Sequence, residues 1–143
     1  MSAAPAQAAV VTGASQGIGR EIALRLGRDG WEVVLAARDR ERLERVRGEI
    51  EGAGGRARVV PTDVTDREQT ARLAEAAEAG GPPVGLLVAN SGIAGPVGEL
   101  WRCDAEEWER TIAVNLIGVF LVCHALLPGM VARRSGSVVV IGS

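Results

Sequence analysis

The residues most able to do chemistry in this chain lie in VVTGASQGIGREIA, residues 10–23. Gly13, Gly17 and Gly19 stand between an apolar run that reads as a strand and an amphipathic run that reads as a helix. Glycines at such a junction let the backbone turn tightly and approach a pyrophosphate. The helix N-terminus then meets the negative charge with unpaired N–H groups and its dipole. The same glycines could also serve only as a structural turn. Their spacing, Gly-x-x-x-Gly-x-Gly, differs from the Gly-x-Gly-x-x-Gly fingerprint, and the absence of Gly-x-x-x-x-Gly-Lys-Ser/Thr argues against a nucleoside triphosphatase.

Arg38 is the second candidate, directly after the second apolar run. A site selecting an unphosphorylated dinucleotide tends to place an acid near this strand end to receive the ribose hydroxyls. Ala36-Ala37-Arg38 offers instead a fork of donors suited to a 2′-phosphate. Asp39, an acid one position later, weakens that reading slightly, and Arg38 could simply begin the charged helix that follows. Asn115, inside the apolar AVNLIGVF, is compatible with a satisfied core amide. Ser143 has no role that its own context suggests, and His124 reads as a packed or interface histidine. No metal site is expected.

The elements that must position these residues alternate along the chain. Residues 8–12 form an apolar run ended by Gly13. Ile18, Ile22, Leu24 and Leu26 then recur at near-helical spacing up to a stop at Gly30. Residues 31–37 read as a strand, and Leu43, Val46 and Ile50 form one stripe of the next helix. A third strand is expected at 58–61, then a helix over 65–79 with Thr65 as N-cap and Glu68 as its capping-box partner. VGLLVAN (84–90) reads as a fourth strand, and a glycine-rich loop follows. The long helical run from Asp104 has Glu107 three residues on and room for a break or bend. Trp101 is expected to anchor its entry, and the last strand falls at 137–141 as a buried run. Strands that are continuous apolar runs alternating with helices predict an α/β fold, a Rossmann-like parallel sheet with helices on both faces. Residues 1–7 read as a loose tail and 8–143 as one partial domain.

Length and composition agree. A chain of 143 residues, 47% hydrophobic with 19 glycines in no regular period, suits one real core and neither disorder nor collagen. Sixteen basic residues against eighteen acidic ones leave a net charge of -2 with signs mixed at short range, so no nucleic-acid partner is expected. The N-terminus has no basic region ahead of an apolar core, unlike a signal peptide. The stretch IAVNLIGVFLVCHALLPGM contains Asn115, His124 and Pro128 and reads as a buried helix, not a membrane span. Cys103 and Cys123 lack a Cys-x-x-Cys spacing and fit reduced thiols in a cytoplasmic protein.

Five motifs in register carry a resemblance. TGASQGIG at 12–19 resembles the cofactor-binding motif of the short-chain dehydrogenase/reductase family, in its NADP-preferring form. Asp63-Val64, Asn90-Ser91-Gly92, Asn115 and the GSVVVIGS strand follow in the family's order, with a general look of 3-oxoacyl-carrier-protein reductases. The resemblance implies that Thr12, Gly13, Ser15, Gly17, Ile18 and Gly19 shape the pyrophosphate site and that Arg38 favours NADP. Asp63 would bond the adenine amino group, with Val64 beside the ring. Asn90, Ser91 and Gly92 would lie near the adenosine ribose, Ser91 replacing the usual alanine. Asn115 matches a catalytic asparagine that holds a water in a proton relay, and Ser143 matches a catalytic serine that bonds the substrate carbonyl or alcohol. Family members are expected to associate through the helix that starts near residue 112.

The family takes its proton from the tyrosine of a Tyr-x-x-x-Lys pair, and this sequence has no tyrosine. The chain is therefore expected to be the N-terminal part of a carbonyl reductase, truncated after the fifth strand and inactive alone. That strand would then become an exposed apolar edge. The alternative is a non-catalytic nucleotide-binding or interaction module completed by another chain.

Overall fold

Five strands pair entirely in parallel in the computed structural model, which describes residues 6–142. They are β1 (Ala8–Thr12), β2 (Glu32–Ala37), β3 (Arg56–Pro61), β4 (Val84–Ala89) and β5 (Ser137–Val140), in the order β3-β2-β1-β4-β5. The chain starts in the middle of the sheet, winds outward to β3, then returns to the other side of β1. The winding reverses between β1 and β4, and the crevice at the carboxyl ends of these strands is where open α/β sheets bind ligands. Most of the expected N-terminal tail, and Ser143, lie outside the described residues.

Helices α1 (Gly17–Arg28), α2 (Arg40–Gly52), α3 (Arg67–Ala79), α4 (Ala105–Ile112) and α5 (Gly118–Arg133) cover the sheet, with a π turn at Ala113–Ile117 joining the last two. Alternation along β1 divides the core. Val10 joins Val34, Leu73, Leu87, Val122 and Leu126 on one face, and Val11 joins Leu24, Leu35, Leu43, Val46 and Ile50 on the other. The stripe expected on α2 is buried throughout. Gly30 ends α1 as anticipated, at φ +93°, with its N–H on Gly27 O (3.3 Å) and the Trp31 N–H on Leu26 O (3.1 Å).

Several expectations need correction. β3 begins two residues early, at Arg56, because its first half pairs with β2 and is stabilised by charge. Arg58 donates to Glu32 (2.6 Å) and also to the Ala76 and Ala77 carbonyls (2.6 and 3.1 Å), satisfying the end of α3. The N-cap of α3 is Asp66, which accepts from the Glu68 and Gln69 N–H groups (2.9 and 3.0 Å); Thr65 is engaged by Asp63 instead. Trp101 anchors nothing, since its side chain is 78% exposed on a short 3-10 turn. β5 is not a buried run but the exposed apolar edge expected of a last strand, with only β4 beside it. The helix from 105 to 133 is buried on one face only. Leu121, Val122, Leu126 and Met130 face the core, whereas Leu116, Phe120, Leu127 and Val131 face out. By length and composition Ala105–Arg133 is long and apolar enough to cross a membrane; here its α5 part packs on β4 and α3.

Candidate functional site

At the switch between β1 and β4 two polar side chains tie the strand ends together. Thr12, 1% exposed, accepts the N–H groups of Asn90 (3.0 Å) and Ser91 (3.1 Å) on its Oγ1. Asn90 Nδ2 donates to the carbonyls of Thr12 (3.2 Å) and Gly13 (3.3 Å). A valine in place of Thr12 would leave those two N–H groups unpaired at the end of the sheet. The loop is fixed to β2 as well, through the Ala14 N–H on Ala36 O (3.2 Å).

The glycines meet distinct demands. Gly13 and Gly17 have φ of +62° and +57°, a region L side chains enter only at a cost. Gly19 is packed under the loop: a Cβ there would overlap the Gly13 carbonyl and Asn90 Nδ2. The first turn of α1 is therefore seated on the end of β1. Its N-cap, Gln16, makes no side-chain cap and no acid lies in its first turn, whereas Asp39, Asp66 and Asp104 cap α2, α3 and α4. The first backbone bond of α1 is Arg20 N–H to Gln16 O (3.3 Å), which leaves the N–H groups of Gly17, Ile18 and Gly19 for an outside acceptor. Ile18 is 62% exposed beside them, and Ser15 is half-buried.

Arg38 stands exposed at the end of β2 and forms no ion pair among the described residues. Asp39 accepts the Arg42 N–H (3.1 Å) and pairs with Arg42 Nε (3.4 Å). Asp63 follows β3. Its Oδ1 accepts from the N–H and hydroxyl of Thr65 (2.9 and 2.7 Å) and its N–H donates to Gln69 (2.8 Å). Its second carboxylate oxygen has no partner among the described residues. Val64, 6% exposed, packs against Gly118, where any Cβ would come within 2.7 Å of it.

Asn115 sits in the π turn, and both ends of its side-chain amide bond Ile93. Oδ1 accepts the Ile93 N–H (2.8 Å) and Nδ2 donates to Ile93 O (2.9 Å), an amide pairing that holds the loop after Gly92. The amide is satisfied but exposed, not part of the core. The residues at 12–19, 38, 63 and 90–92 thus gather along the carboxyl edge of the sheet. Sequence reading missed Gln16 and Arg42, which line an open cleft of about 390 Å³ between α1 and α2 together with Ser15, Arg20, Arg45 and Glu49. The available signal was the lack of Asp, Ser, Thr or Asn at the α1 cap.

A short chain dehydrogenase family model matches residues 7–143. The chain belongs to the short chain dehydrogenase family. Among its relatives, a glycine betaine reductase of Emericella nidulans is 41% identical over 135 residues, 94% of this chain and 11% of that protein. The crystal structure of a metagenomic short-chain oxidoreductase in complex with NADP superposes with a TM-score of 0.91 at 41% identity, covering 96% of this chain and 62% of that one. A 3-ketoacyl-ACP reductase from Sinorhizobium meliloti does so with a TM-score of 0.91 at 39% identity, covering 95% and 53%. The chain spans about half the length of several other curated relatives it matches. The glycine loop of this short chain dehydrogenase stands at the switch point between β1 and β4. No group of three or more candidate metal ligands occurs among the described residues.

Proposed function

We propose that this chain is the cofactor-binding portion of an NADP-dependent oxidoreductase that interconverts a carbonyl and an alcohol by hydride transfer. The junction of β1 and α1 carries the reading: two glycines at positive φ, a third with no room for a side chain, and a helix N-terminus without a capping side chain. These features fit a pyrophosphate, which needs close backbone approach and unpaired N–H donors. When bound, the cofactor would supply the hydride or accept it. Gly13, Ser15, Gly17, Ile18 and Gly19 would hold its pyrophosphate, and Arg38 its 2′-phosphate. The unpartnered oxygen of Asp63 would receive the adenine amino group. Thr12 and Asn90 keep the crevice open by fastening β1 to β4, and the 90–92 backbone would lie along the ribose. Val64 would reach the ring only by its backbone side, since its side chain is committed to Gly118.

Substrate chemistry is part of the proposal. The 3-ketoacyl-ACP reductase from Sinorhizobium meliloti and a very-long-chain 3-oxoacyl-CoA reductase of Mycosarcoma maydis favour a 3-oxoacyl thioester or a similar ketone. Asn115 and Ser143 are assigned to the reacting end, with Asn115 acting through its backbone or its hold on Ile93. These 143 residues contain neither tyrosine nor lysine, so a Tyr-x-x-x-Lys proton donor cannot come from them. A cytoplasmic location fits the two unpaired thiols of Cys103 and Cys123, and association through the exposed face of α5 fits its outward Phe120 and Leu127.

Titration of the 143-residue chain with NADPH and NADH, followed by a carbonyl-reduction assay, tests the reading. Saturable binding, tighter for NADPH, with no turnover is expected; absence of binding by a folded chain would overturn it.

A further inference from the structure

Between Arg110 and Arg133 the chain carries no Asp, Glu, Lys or Arg, and the group there that titrates near neutrality is His124, the only histidine of the sequence. The stretch runs from the end of α4 through the π turn into α5. One stripe of it faces out: Ile112, Leu116, Phe120, His124, Leu127 and Val131, at steps of three or four residues. Leu116 and Phe120 are 61% and 59% exposed, and the His124 ring stacks on Phe120 at a centroid distance of 5.4 Å. The histidine is therefore set inside the apolar stripe, not at its rim. With Trp108 and Ile117 the stripe exposes on the order of 600 Å² of apolar surface, near the roughly 800 Å² that each partner gives to a standard interface. An isologous contact sets a surface against itself, so a stripe without fixed charge meets no like-charge repulsion there. Charge at its two ends favours an antiparallel copy. Glu106 and Glu109 stand exposed at one end, and Arg134, in no ion pair among the described residues, stands exposed at the other.

We infer that His124 makes self-association through this stripe pH-sensitive: two copies pair while the imidazole is neutral and separate as it gains a proton. The inference rests on the chain associating through the exposed face of α5. Paired antiparallel about Phe120, each copy would lay His124 against the Leu116–Ile117 turn of the other, out of water. Burial among apolar groups disfavours the charged form, so pairing lowers the imidazole below its free value of about 6.5. A group lowered in this way supports the paired state above its free value and withdraws that support as pH falls below it. No acid stands by to hold the cation. β4 and the π turn, both packed on α5, carry no ionisable side chain. On α3, Glu78 is held by Arg133, more than two turns from His124, and Arg67, Glu68, Arg72 and Glu75 form no ion pair with α5 among the described residues. Cys123 beside it on α5 stays neutral, since burial pushes its thiol up. A membrane is the other cover for an apolar helix face, but Glu106 and Glu109 at its end would be repelled by anionic headgroups.

The test is sedimentation equilibrium of the 143-residue chain at about pH 7.5 and about pH 5.5, a window in which ordinary carboxylates stay ionised, with circular dichroism to verify the fold at each. A dimer is expected at the higher pH. Its Kd should be about 10- to 100-fold weaker at the lower, tenfold for each histidine that must lose its proton to pair. His124→Gln keeps a polar side chain that cannot charge, and should pair about equally at both pH values. Phe120→Asp puts a fixed charge into the stripe and should be a monomer at both. A wild-type dimer of equal strength at both pH values, or one whose pH dependence persists in His124→Gln, would overturn the inference and leave the association standing. A wild-type monomer at the higher pH, or a dimer that survives Phe120→Asp, would remove the association through this face and the inference together. A chain that floats with phosphatidylcholine and phosphatidylserine vesicles and does not pair would assign the face to lipid, with the same consequence.

Discussion

Replacing Gly19 by alanine puts one methyl group where the structure has no space. The added Cβ would lie within 2.8 Å of the Gly13 carbonyl carbon and overlap both its oxygen and Asn90 Nδ2. Backbone is the obstacle on one side, so α1 must lift away from β1 or Asn90 must leave the Thr12 and Gly13 carbonyls. Overpacking costs about 1–3 kcal/mol, two lost hydrogen bonds add about 1 kcal/mol each, and alanine returns about 1 kcal/mol of helix propensity, for a net loss of about 2–4 kcal/mol. Gly48 is the matched control: it lies inside α2 with nothing within 4 Å of an added Cβ. Gly48→Ala should stabilise by about 0.5–1 kcal/mol. Urea unfolding reads both, with Gly19→Ala expected to move the midpoint down by about 1–2 M and Gly48→Ala slightly up. NADPH binding should weaken in the first and persist in the second. A Gly19→Ala chain that unfolds at or above the wild-type midpoint, beside a Gly48→Ala chain that behaves as stated, would refute the close seating of α1 on the loop.

Three further outcomes are expected. Asn115→Ala removes both bonds to Ile93, so stability should fall by about 1–2 kcal/mol and the Ile93 amide should exchange faster; unchanged exchange would show that the loop is held elsewhere. The Gln69 N–H and side-chain amide hold the Asp66 carboxyl below its ordinary range, so its contribution is present above about pH 4 and lost as pH falls through the lowered value. Wild type should therefore exceed Asp66→Asn in denaturant midpoint at pH 6, with the gap closing toward pH 3; a gap that stays constant would contradict this. Burial pushes the Cys123 thiol up, so iodoacetamide at pH 8 should modify it slowly in the folded chain and faster in urea, and equal rates would count against that environment.

Local pattern made much of the fold legible. Parallel strands buried on both faces are unbroken apolar runs, which is why β1, β2 and β4 stand out in the sequence, and Leu43, Val46 and Ile50 mark the buried side of α2 by spacing alone. β3 was legible only in part because Arg56 and Arg58 hide its first half; their charges answer to Glu32 on the neighbouring strand, a partner no local window contains. The α3 cap was misplaced for a similar reason. Thr65 and Asp66 are both able to cap, and the choice follows from Asp63 engaging Thr65 across the turn. Trp101 looked like an anchor because large aromatic residues usually are, yet none of the described elements covers it.

The sequence by itself determined which residues could meet a dinucleotide. Gly13, Gly17, Gly19, Arg38, Asp63 and Asn90 are identifiable because each follows a strand, and every strand of a parallel sheet ends on the same side. Tertiary structure decided what each of them has free to offer. The Asn115 amide is engaged by Ile93, the Val64 side chain packs on Gly118, and Asp39 is engaged by Arg42. By contrast the first turn of α1 and Arg38 remain available. Residue type sets a group's chemistry, but hydrogen-bond partners distant in sequence set whether that chemistry is already satisfied.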